Sequence, residues 1–132
     1  MKKKIFNLLT FVALALMLQG ASVKDDEVMV KEAGGYVVNT TTLGKDVIGY
    51  ADVIPVKVYI KKNKVEKIEF LKNKETPKYF ARVKKALLNK WDGLKTKDAA
   101  KLQVDGVTGA TLSSDAVVKN VRLGIEYYQT HK

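Results

Sequence analysis

Four hydroxyls, two glycines and a carboxylate crowd into ten residues of this chain, Asp105-Gly106-Val107-Thr108-Gly109-Ala110-Thr111-Leu112-Ser113-Ser114. Asp105-Gly106 and Thr108-Gly109 are turn dipeptides, because glycine reaches positive φ and leaves no Cβ in the way of an approaching group. Downstream, Val117, Val121, Ile125 and Tyr128 lay one apolar stripe along a helix that Ser113 or Ser114 would cap. A glycine turn feeding a helix start presents unpaired N–H groups and about half a positive charge to its surroundings. The chemistry of such a place is anion binding, above all of a phosphate, and the Thr111 hydroxyl stands at that spot. The same residues would also serve a plain turn whose serine caps a helix.

Other chemistry has few residues to draw on. The chain has no cysteine, which removes disulfides, thiolate nucleophiles, iron–sulfur ligation and the common structural zinc sites. Its single histidine, His131, lies next to the C-terminal residue, a poor place for a catalytic base or metal ligand. Asp105 and Glu75 are acids without an evident partner, so a carboxylate hydrolase is weakly supported. Redox chemistry would have to come from a cofactor. The net charge of +10 favours some anionic partner without choosing it, and three of those charges are Lys2, Lys3 and Lys4. Only Arg82 and Arg122 accompany the scattered lysines, which argues against a nucleic-acid readout surface and for a solvated face.

Asp105, Thr108, Gly109, Ala110 and Thr111 reproduce a motif of aspartate, two variable positions, serine or threonine, then Gly-Ala-Thr. On these residues the chain resembles FMN-binding domains, in particular the flavin-carrying subunits of sodium-pumping NADH:quinone oxidoreductases and their Rnf-type relatives, over roughly Gly49 to Tyr128. The resemblance implies that a separate flavin transferase, using FAD as donor, attaches FMN through a phosphoester to Thr111. Thr108, Gly109 and Ala110 would then shape the loop, Asp105 would serve recognition or fix a turn, Ser113 and Ser114 would supply phosphate and helix-cap contacts, and Leu112 would count among the cofactor-binding residues. The family often carries Glu-Thr-Pro-Gly on a segment near the flavin. Here Glu75, Thr76 and Pro77 are kept, but Lys78 stands where glycine is usual.

Elements that would position these residues follow from periodicity. Residues 23–46 hold a mixed, charged segment or short edge strand from Val23 to Glu32 and a strand from Tyr36 to Thr42. Residues 47–132 form the body of the domain. Val47 to Ile60 alternates as a second strand with Pro55 marking an edge or bulge, and Val65 to Leu71 returns across a polar turn at Lys61-Lys62-Asn63-Lys64 as an antiparallel hairpin. Thr76-Pro77 opens a helix continuing to about Lys90, with Phe80, Val83, Leu87 and Trp91 on its apolar face. Trp91 either closes that core stripe or stacks on a flavin ring. Trp91 to Lys101 reads as a connection with room for one helical turn. The predicted fold is α+β, an antiparallel meander with helices packed on it, the last following the attachment loop.

Met1 to Ser22 has the layout of a secretory signal, three lysines, an apolar run from Ile5 to Leu18 and small residues Gly20 and Ser22 before Val23. The apolar run is shorter than the roughly 20 residues needed to span a bilayer, so cleavage is expected, with retention as an anchor the alternative. The reading is an exported flavoprotein, periplasmic, extracellular or peripheral to a membrane, carrying electrons between redox partners and turning over no substrate with its own side chains. The alternative is an exported binding or sensory module that holds FMN or another phosphate-bearing ligand non-covalently.

Overall fold

The computed structural model describes residues 27–107 and 109–132; the expected leader, Met1 to Ser22, and Thr108 lie outside the described residues. Two tight hairpins build the sheet. Met29–Glu32 (β1) and Gly35–Asn39 (β2) are joined by Ala33 and Gly34, at φ 49° and 80°. Val56–Lys61 (β3) and Lys64–Phe70 (β4) are joined by Lys62 and Asn63, at φ 55° and 59°. Two successive left-handed residues make the type I′ turn, whose twist matches that of the strands it connects. The four strands pair antiparallel in chain order, and within the segment expected to be loose or a short edge strand, Val23 to Glu32, Met29–Glu32 is an edge strand while Val23 to Asp26 lie outside the described residues.

Alternation along β3 buries Val56, Val58 and Ile60 and leaves Lys57 and Tyr59 on the open face. In β4 a bulge intervenes: Ile60 pairs with Val65 and Tyr59 with Lys67, leaving Glu66 as the extra residue. That insertion turns both Val65 and Ile68 inward although they are three residues apart. Thr111–His131 (α3) lies across β2 and β3 and buries Val117, Val121, Ile125 and Tyr128 against this face. Each such aliphatic side chain contributes about 1.5–3 kcal/mol when taken fully out of water. Gly124 sets how closely the helix rides: a Cβ there would lie 3.0 Å from Val58 Cγ2 and 3.1 Å from Thr40 Cγ2.

Pro77–Leu87 (α1) starts as expected, with extended Thr76 at the N-cap and Pro77 in the first turn, where its missing N–H costs nothing. It buries Phe80, Val83 and Leu87 and stops short of Lys90, after which turns carry Trp91 back into the core at 1% exposure. Trp91 is therefore packing, not a ring platform. Thr96–Ala99 (α2) is the single helical turn allowed for in the connection.

Two expected strands are shortened for local reasons. β2 ends at Asn39 because the next residue, Thr40, is fully buried and turns its hydroxyl onto Val56, accepting from the Val56 N–H at 2.9 Å and donating to the Val56 carbonyl at 3.2 Å. The long strand expected over Val47 to Ile60 begins only at Val56. Pro55 offers no N–H to a ladder, and Gly49 and Asp52 close a small loop in which the Gly49 N–H donates to the Asp52 carbonyl at 2.9 Å beside an Ile48–Val53 bridge. Asn120 of α3 pins this loop from inside, its Nδ2 donating to the carbonyls of Ile54 at 3.1 Å and Ala116 at 2.9 Å. Among the described residues no helix is long and apolar enough to cross a membrane.

Candidate functional site

The buried carboxylate of Glu75, 7% exposed, ties together three segments remote in sequence. Its Oε1 accepts from the Tyr50 N–H at 3.1 Å and from the Ser113 hydroxyl, and its Oε2 accepts from the Ala51 N–H at 2.6 Å. Asn73 fixes the approach of the chain, its Oδ1 accepting from the Glu75 N–H at 3.0 Å. Gly49 is required beside this carboxylate, since a Cβ there would lie 3.0 Å from Glu75 Oε1 and 2.6 Å from Ile54 Cδ1. A buried acid given three donors is what makes such an acceptor tolerable away from water.

The glycine turn before α3 is organised by Ser114 rather than capped by it. α3 begins at Thr111 with Ala110 at its N-cap, so neither Ser113 nor Ser114 holds the capping place expected from the sequence. Both are drawn inward: Ser113 to Glu75, and Ser114 to the loop, where its Oγ accepts from the Val107 N–H at 3.2 Å and donates to the Thr111 carbonyl at 3.0 Å. The Ala110 N–H closes the turn on the Val107 carbonyl at 2.8 Å. Gly109 sits at φ 81°, a conformation costly for residues with a Cβ. Thr111 lies in the first turn of α3, exposed, its side chain resting over Gly106, where a Cβ would come within 2.9 Å of Thr111 Cγ2.

Between these parts opens a cleft of about 460 Å³ lined by Tyr50, Glu75, Thr76, Tyr79 and the run Gly109 to Ser113. Tyr50, Tyr79 and Leu112 leave much of their surface in water at its rim, 75%, 47% and 59% exposed. The volume lies within the range of small-molecule and cofactor sites, and aromatic walls beside one polar corner suit a flat, amphipathic ring. A bound flavin would find aromatic surface at Tyr50 and Tyr79, a polar corner at Glu75 and Ser113, and for its phosphate the exposed Thr111 and the first-turn N–H groups of α3. The residues present therefore fit a flavin mononucleotide.

A family model described as FMN-binding domain matches residues 49–126, more than half of the chain. The chain belongs to the FMN-binding domain family. No curated protein and no solved structure matches it. FMN is thus the cofactor toward which the cleft is read.

Within this FMN-binding domain the structure brings Glu75, Thr76, Gly109, Ala110, Thr111, Leu112 and Ser113 to one cleft. Ser114 stands behind it as a support. Pro77 shapes the helix start without lining the cavity, and Lys78 is exposed and lines none of it either. Asp105 faces elsewhere, into a groove shared with Ala86, Leu87, Lys90, Leu102 and Val104 on the far side of the loop. Thr108 is outside the described residues. Tyr50 and Tyr79 were not singled out from the sequence. Tyr79 carried a signal, an aromatic off the Phe80-Val83-Leu87 stripe, whereas Tyr50 sat in a segment read as strand.

Proposed function

We propose that this chain is an exported electron carrier whose FMN is joined through its phosphate to Thr111 by a separate flavin transferase. The observation that carries the reading is the placement of Thr111: a hydroxyl exposed at the mouth of a flavin-sized cleft, on the first turn of a helix. With FAD as donor, the Thr111 Oγ–phosphorus bond forms as the pyrophosphate bond breaks; the hydroxyl proton is lost and AMP leaves. When bound, FMN supplies one- and two-electron transfer. The chain's part would be to hold and orient: Tyr50 and Tyr79 would offer aromatic surface to the ring, Glu75 and Ser113 a polar corner, and Gly109 a loop conformation at φ 81° that a side chain would strain. The partly open rim leaves a ring edge accessible to redox partners on either side of the transfer. Export is supported by the secretory layout of Met1 to Ser22.

The test is intact mass of the full chain co-expressed with an exported flavin transferase, followed by peptide mapping. The expected result is an added FMN mass, less water, on the peptide containing Thr111, lost in Thr111→Val. Flavin still attached to Thr111→Val refutes the assignment. A yellow protein of unmodified mass would establish the non-covalent module instead.

A further inference from the structure

Arg82 is exposed on α1. Among the described residues it makes no ion pair, whereas the other arginine, Arg122, donates its Nε to the Ala100 carbonyl at 3.0 Å. Its guanidinium is nonetheless placed. The central carbon lies 5.7 Å from the ring centroid of Tyr79, a cleft wall, and Nη1 lies 3.2 Å from where a Cβ of Gly109 would be. A stacked guanidinium is thereby held over the backbone of the loop that precedes Thr111. Arginine presents a planar fork of donors matched to phosphate oxygens, which the flexible lysines around it do not. Gly109, having no Cβ, lets the guanidinium come this close to the loop.

We propose that Arg82 is a phosphate-binding residue of this cleft and makes it select a flavin phosphate monoester over the unphosphorylated flavin. This rests on the FMN reading above and adds a residue that the attachment motif does not contain. Tyr79 has a double part: one face of its ring holds Arg82, and its body walls the cleft. The arginine acts on the phosphate and leaves the ring contacts alone, so its removal separates two ligands that differ only by that group.

The experiment titrates the full chain, produced without a transferase, with FMN and with riboflavin at low salt, following quenching of flavin fluorescence. Wild type is expected to bind FMN about tenfold or more tightly than riboflavin, the strength of one charge-assisted contact. Arg82→Gln is expected to lose that preference with riboflavin affinity unchanged, and Arg82→Lys to keep part of it. Raising the salt should erode the wild-type preference and leave the Arg82→Gln affinities unmoved. Equal loss of both ligands in Arg82→Gln would overturn the proposal by making Arg82 a support for Tyr79. An undiminished preference would overturn it outright. Wild type binding both flavins equally, or neither, would refute the role of Arg82, whereas attachment at Thr111 stands or falls on the mass measurement above.

Discussion

Replacing Glu75 by glutamine tests whether one carboxylate assembles the cleft. The substitution keeps the size of the side chain but not its capacity to accept. If the amide oxygen stays toward the Tyr50 N–H and the Ser113 hydroxyl, the NH2 group faces the Ala51 N–H, donor against donor, where a 2.6 Å hydrogen bond stood. Hydrogen bonds to a charged group contribute about 1.5–3 kcal/mol each. One is lost outright and two are weakened, so Glu75→Gln should cost about 2–4 kcal/mol, a large share of the 5–15 kcal/mol typical of a domain. At about 4–8 °C per kcal/mol for a small domain, the midpoint of melting should fall by at least 8 °C.

The loss should also be local. Amide hydrogen exchange read residue by residue should show Tyr50 and Ala51 losing protection before the β3 core does. Ser113→Ala should reproduce a smaller part of the effect, and the two substitutions combined should cost less than their sum, because they break one shared bond. A change in unfolding free energy below about 0.5 kcal/mol, with exchange at Tyr50 and Ala51 unaltered, would refute the reasoning.

Gly44→Ala should be among the most damaging single changes, costing about 3 kcal/mol or more by urea denaturation, because a Cβ there would lie 1.8 Å from the buried Asn120 Oδ1. Adding Asn120→Ala should recover part of that cost, since it removes the clashing atom. At high pH, Tyr59 should titrate late, with its pKa raised to about 12, chiefly because its hydroxyl donates to Glu69 Oε1 at 2.6 Å. The folded state keeps this proton where the unfolded chain has lost it, so the contribution is fully present below pH 10 and drains away as the pH rises through the folded value. Absorbance titration of phenolate should show Glu69→Ala restoring Tyr59 toward ordinary behaviour, and an unchanged curve would exclude the hydrogen bond as the cause.

Much of the architecture was legible because its signals are local. Alternation in Val56 to Ile60, the polar turn at Lys62-Asn63 and the stripe Val117, Val121, Ile125 and Tyr128 each specify an element without knowledge of its neighbours. The misread segments are those in which a side chain took over a backbone task. Thr40 replaces the ladder beyond Asn39, and no periodicity announces a buried hydroxyl that both donates and accepts. Ser113 and Ser114 have the composition of helix caps, but the cap rule weighs only the bond a serine makes to its own helix. Here the hydroxyls had better partners elsewhere, Glu75 in one case and the Val107 N–H in the other, and the helix began earlier. Glu75 itself was found through a motif, whereas its meeting with Tyr50 and Ala51 is long-range and had no local trace.

The cleft's construction bears on why a tether would serve the proposed carrier. Its floor is cross-braced, with Glu75 holding the Tyr50 N–H, Asn120 the Ile54 carbonyl and Ser114 the Val107 N–H. Its rim is not enclosed: Tyr50 at 75% exposure can cover only one side of a bound ring. A site of this openness would leave part of a bound flavin in water, so a cofactor held without a covalent bond would be lost at high dilution. A phosphoester at Thr111 would turn retention into an intramolecular event with effective concentrations of order millimolar, so the cleft would need only to orient. The same openness then becomes functional, because an edge left bare by Tyr50 and Leu112 is where a redox partner would meet the ring. Enclosing that rim with larger side chains should therefore slow electron exchange with protein partners more than with small diffusible dyes, and equal slowing of both would argue that the rim is not the route.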